Sequence, residues 1–137
     1  MAAAMNDFVQ KRGVSAGLRQ DSSLDCAIDL VHLARQTLGD RALEIELLRL
    51  FERQCEQIVR RLEGPVGGDR RVRQDLAHTL KGSAQAVGAG AVAAAAARYE
   101  DLLGAAQSDE AATQALGVLR AAAQEARRAV ASLLPEA

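Results

Sequence analysis

The chain has 137 residues, enough for one domain with its own core, and its formal net charge of −1 gives no long-range pull toward nucleic acid or an anionic membrane. It is 49% hydrophobic but only 2% aromatic, so the core must come from Leu, Val, Ile and Ala, which suits closely packed helices. Two prolines and the lack of a long β-branched run argue against a sheet protein.

Residues 1–21 mix glycines, charges and polar groups without a sustained period and are expected to be a flexible tail, with one helical domain over 22–137. Lys11 and Arg12 follow a start too weakly apolar for a signal peptide, and no window approaches the roughly 20 apolar residues of a membrane span. A cytoplasmic protein is expected. Cys26 and Cys55 stand far apart without metal-ligand spacing and read as buried free thiols.

Ser22-Ser23-Leu24-Asp25 pairs a hydroxyl with a carboxylate three residues on and predicts a helix start. The helix runs to about Thr37, with Leu24, Ala27, Ile28, Val31, Ala34 and Leu38 inward and Leu30 and Leu33 off that stripe. Gly39 breaks it. Asp40 caps a long amphipathic helix to about Glu63, with Leu43, Leu47, Leu50, Phe51, Ile58 and Leu62 at helical spacing and charges outside. Gly64-Pro65-Val66-Gly67-Gly68 turns the chain, and Asp69 caps a third helix reaching Val87. Gly88 suits a left-handed stop.

The alanine-rich run from Ala91 predicts a helix packed tightly on its predecessor, with Val92, Ala96, Tyr99 and Leu103 inward. After a turn, Ser108 caps a last helix with the stripe Leu116, Leu119, Ala123, Ala126, Val130 and Leu133, ended by Pro135. Four substantial helices, a short leading one and short turns predict an all-α antiparallel four-helix bundle.

The third helix carries the chemistry. Val72, Leu76, Leu80, Ser83 and Val87 fall within about 80° of one another on a helical wheel, and His78 lies roughly 200° from their centre. Gln74, Lys81, Gly82 and Gln85 share its side, Gln74 and Gln85 as candidate partner contacts. An imidazole can attack phosphorus through one ring nitrogen while the other keeps a proton. Lys81, one turn on, can meet phosphoryl oxygens, and Gly82 leaves room for a partner to approach. Ser83 turns toward the core. His32, the other histidine, has no lysine-glycine neighbourhood.

With Ala77-His78-Thr79-Leu80-Lys81-Gly82-Ser83 as its centre and Val87-Gly88 as the exit of the same helix, the chain resembles a histidine-containing phosphotransfer domain of two-component phosphorelays over about residues 22–134. The resemblance implies that His78 takes a phosphoryl group from an aspartyl phosphate and passes it to another aspartate. It implies that Lys81 steadies that group, that Gly82 clears the docking surface, and that Glu100 on the next helix orients the imidazole. Ala84 stands where many members carry a second hydroxyl. The implied partners are receiver domains of a hybrid histidine kinase and of a response regulator, met by a monomer. The sequence has no phosphate-binding nucleotide loop and no aspartate cluster suited to Mg²⁺. The expectation is therefore a phosphohistidine carrier with no ATP site and no cofactor, its Mg²⁺ held in the partner receiver domain. A helical adaptor that binds receiver or kinase domains without using His78 is the other reading, and a third is an enzyme, either a bundle hydrolase or the dimerisation half of a histidine kinase.

Overall fold

Residues 27–64, 69–105 and 109–135 are described in the computed structural model, and five helices account for nearly all of them. They are α1 (Leu30–Thr37), α2 (Arg41–Glu63), α3 (Arg70–Val87), α4 (Gly90–Gly104) and α5 (Asp109–Leu133). The last four form the bundle and α1 leads into it.

Two of the predicted caps are in place. The Asp40 side chain accepts from the Leu43 N–H at 3.2 Å, and the Asp69 side chain accepts from the Arg71 N–H at 2.9 Å. Each satisfies a backbone donor that a helix start leaves open. The pairing at Ser22–Asp25, the expected tail over residues 1–21, Cys26 and the Ser108 cap lie outside the described residues.

The α1 stripe needs correction. Asp29 is the N-cap, accepting from the His32 N–H, so the helix begins at Leu30 and Ala27 and Ile28 precede it. They are buried, but not as part of the same helical stripe. Leu33 and Thr37, one turn apart, face inward, whereas Val31 (62% exposed) and Leu38 (93%) face solvent. Thr37 bonds back to the Leu33 carbonyl and across to Glu44 of α2, which satisfies its buried hydroxyl.

The later helices bury spacings of three and four: Leu48, Phe51, Cys55, Ile58 and Leu62 on α2, and Ala77, Leu80, Ala84 and Val87 on α3. Leu43 and Leu50, expected inward on α2, are exposed, and Leu48 takes the buried place. On α3, Val72, Leu76 and Ser83 are half-buried, because the core face is rotated toward Ala77 and Ala84. Val92, Ala96, Tyr99 and Leu103 are buried on α4 as expected. On α5, Leu119, Ala123, Ala126 and Val130 are buried, with Ala115 joining them and Leu116 and Leu133 at the margin.

The pair α3 and α4 makes the most extensive helix contact in the described fold. Alanines let their backbones approach closely, and the turn between them is tight. Gly88 has φ +81° and its carbonyl accepts from the Asp29 N–H at 2.8 Å, tying the α3 exit to the α1 entry. A Cβ on Gly88 would come within 2.8 Å of the Asp29 carbonyl oxygen, so conformation and space both require glycine.

Candidate functional site

Rotation of α3 decides where its histidine points. With Ala77, Leu80, Ala84 and Val87 buried, His78 is about 140° from the centre of the core face, and its side chain is 67% exposed. Tyr99 fixes the rotation of α4 in the same way. It is buried, and its hydroxyl accepts from Arg73 Nη1 at 2.7 Å. Glu100 is then turned to the adjacent face.

The hairpin register brings the two together. His78 lies eleven residues before Ala89 and Glu100 eleven after, so an antiparallel pair turning at Ala89 sets them opposite one another. Gln74 and Gly104 obey the same count at fifteen, and Gln85 and Ala93 at four. The structure follows this ladder. Gln74 Nε2 lies 3.0 Å from where a Gly104 Cβ would be, and Gln85 and Ala93 line one groove. On α4 the column reads Ala93, Ala97, Glu100 and Gly104, so Glu100 is its one long side chain.

His78 Nδ1–H donates to Glu100 Oε2 at 3.0 Å. An ionised carboxylate can only accept, so Nδ1 carries a proton in this bond, and in a neutral ring the lone pair is then on Nε2. Lys81 Nζ lies 3.4 Å from the other oxygen, Oε1. That oxygen is shut off from solvent and accepts no hydrogen bond, so the ammonium is its charge compensation. The Lys81–Glu100 pair has no counterpart in the sequence reading, which gave Lys81 to the phosphoryl group alone.

Gly82 is exposed in the interior of α3, and a Cβ there would meet nothing within 4 Å. The fold has no use for glycine at this position, and glycine costs a helix about 1 kcal/mol relative to alanine. Gln74 is half-buried beside Gly104, and Gln85 is exposed at the other end of the ladder. His32 is separate from this cluster, its ring 3.3 Å from the Gln36 amide.

Next to Gln85 opens an apolar groove of about 1040 Å³, walled by Leu30 and Val31 of α1, Ala93 of α4 and Leu133 of α5. Leu30 is 53% exposed. Among the described residues, no helix is long and apolar enough to cross a membrane, and no three His, Cys, Asp or Glu side chains group to hold a metal ion.

The family model for the Hpt domain matches residues 46–129, more than half of the chain. An X-ray structure described as a histidine-containing phosphotransfer protein from rice aligns with TM-score 0.67 and 24% identity, covering 87% of this chain and 94% of that one. At that identity the likeness shows the fold. No curated protein matches the chain.

Proposed function

The chain belongs to the Hpt domain family and is a phosphorelay intermediate; from that premise we propose that His78 carries the phosphoryl group, with Glu100, Lys81 and Gly82 serving it. The supporting observation is the exposed imidazole whose Nδ1–H is held by Glu100, leaving Nε2 as the nucleophile.

The step runs in line. The Nε2 lone pair attacks the phosphorus of a receiver's aspartyl phosphate, the P–O bond to the aspartate breaks, and the carboxylate leaves with the electron pair. The Nδ1 proton stays with the ring. Onward transfer reverses this: an acceptor carboxylate attacks phosphorus, the P–N bond breaks, and the pair returns to Nε2. Lys81 meets the phosphoryl oxygens, and Gly82 lets the receiver press against α3.

The partners we propose are a donor receiver domain, such as that of a hybrid histidine kinase, and the receiver of a response regulator, each bringing its own Mg²⁺. The chain itself uses no ATP and works as a cytoplasmic monomer. A stable protein contact needs about 800 Å² from each partner, more than His78, Lys81 and Gly82 provide. The footprint continues along α3 through Gln85 to Leu30 and Val31, where apolar surface is open.

The experiment is transfer of radiolabelled phosphoryl from a phosphorylated receiver. Wild type takes label and His78→Gln takes none, and the purified chain gains none from ATP. Label retained by His78→Gln overturns the assignment.

A further inference from the structure

The groove beside Gln85 is built from small residues between large ones. Ala84, Ala93 and Ala129 line it, while Leu30 and Val31, 53% and 62% exposed, stand at its edge opposite Leu133. Its volume of about 1040 Å³ has room for several large side chains. Exposed apolar surface of this extent marks an interaction site. The α1 side of the groove is also where the described chain begins. Ile28 and Asp29 line it, and residues 1–26 join the fold directly before them, through Ala27.

That segment carries the side chains such a groove takes. The aromatic residues of the chain are Phe8, Phe51 and Tyr99, and of these Phe51 and Tyr99 belong to the core. Both methionines, Met1 and Met5, lie in the same segment as Phe8, at successive spacings of four and three, the pattern of one helix face. Methionine adapts to irregular apolar space. Asp7, next to Phe8, is the one carboxylate of residues 1–20, and Arg128 is the arginine that lines the groove. The tether is long enough. As a coil, the chain from Val9 to Ile28 spans on the order of 25 Å, and such a link gives an effective concentration of about 1 mM. Separate chains in micromolar solution meet far less often, which favours this chain's own segment over that of a second copy.

We propose that residues 1–9 seat Met5 and Phe8 in this groove and there compete with a docking receiver for Leu30 and Val31. The seating stands on the groove and the segment alone, whereas the competition rests on the receiver footprint given under the proposed function. Gln85 is seven residues beyond His78 on α3, about 10 Å along the helix axis. An occupant of the groove therefore leaves the imidazole open while it covers the apolar end of the contact. A receiver, which needs that end, is hindered. A small phosphoryl donor is not. By linkage, each occupant weakens the other by the same factor.

The test uses the full chain and methyl NMR. A phenylalanine ring seated in the groove shifts the methyl signals of Leu30, Val31 and Leu133 by its ring current. Phe8→Ala should remove those shifts and leave Leu62, at the far end of α2, unchanged. At receiver concentrations below saturation, label transfer from a phosphorylated receiver to His78 should rise about fivefold in Phe8→Ala, as for a docking-competent state open about one-fifth of the time. Phosphorylation of His78 by phosphoramidate, read against His78→Gln, should stay as in wild type. In that control Nε2 attacks phosphorus, the P–N bond of the donor breaks, and ammonia leaves. Groove methyls indifferent to Phe8→Ala overturn the seating. Shifts that grow with chain concentration assign the segment to a second copy and overturn the contact within one chain. Shifts lost with no rise in transfer overturn the competition. A wild-type chain that takes label neither from a receiver nor from phosphoramidate removes the carrier reading of His78, a separate failure in which the methyl signals still decide the seating.

Discussion

Gly82 separates what a residue does for the fold from what it does for the site. None of the described residues occupies the space of a Cβ there, so Gly82→Ala should raise stability by about 0.5–1 kcal/mol in urea unfolding. The same substitution should slow transfer from a receiver, and Gly82→Leu should slow it further. A gain in stability with unchanged transfer would mean that the glycine has no docking role. Cys55 is the opposite kind of residue, fully enclosed between α2 and α5. Burial pushes its thiol up from 9.0 to about 12, with the Arg127 charge pulling down and Glu52 pushing up. The sign follows from proton counting. The unfolded chain loses the thiol proton first, so the contribution is intact below pH about 9 and is lost as pH rises toward 12. Three pH units correspond to at most about 4 kcal/mol. Wild type should therefore lose stability between pH 8.5 and about 10.5 more steeply than Cys55→Ala, by about 2 kcal/mol in urea titrations. Parallel curves for the two proteins would contradict this.

At the level of elements, the turn between α3 and α4 sets the site, because residues equidistant from Ala89 face one another. Gly88 holds that turn in a left-handed conformation and carries the bond from Asp29. Gly88→Ala meets both a positive φ and the Asp29 carbonyl, and should cost more than about 1 kcal/mol and loosen α1 as well. Amide exchange at Asp29 is the direct check, since its N–H donates to Gly88. The ladder was present in the sequence: the Gly88-Ala89-Gly90 break was legible, and counting outward from it pairs His78 with Glu100 without any relative to consult. The start of α1 was not legible in that way, because Ser22–Asp25 and Asp29 are chemically alike as caps.

Across the whole molecule, the small buried residues of α4 let it pack closely on α3, the helix that carries His78. Ala96 is fully buried. Ala96→Leu should overpack the core, lowering stability by about 1–3 kcal/mol. If the added bulk drives α3 and α4 apart, it should also weaken the His78–Glu100 bond and reduce transfer, although neither residue is touched. Thermal unfolding and receiver-to-His78 transfer measured on the same protein would show the two losses together. A loss of stability alone would show that the spacing is not what supports the site.

By itself the sequence determined the five helices of the described residues, the two aspartate caps, the glycine stop and the outward face of His78, because these depend on local hydrogen bonding and on periodicity along one chain segment. Which of Leu33 or Val31, or of Leu48 or Leu50, enters the core was decided only by the packed bundle. A helix with more apolar residues than one face can hold has several admissible rotations, and its neighbours select one. The link from Lys81 to Glu100 belongs to the same class, since it joins side chains on separate helices and depends on how closely the alanines let those helices approach.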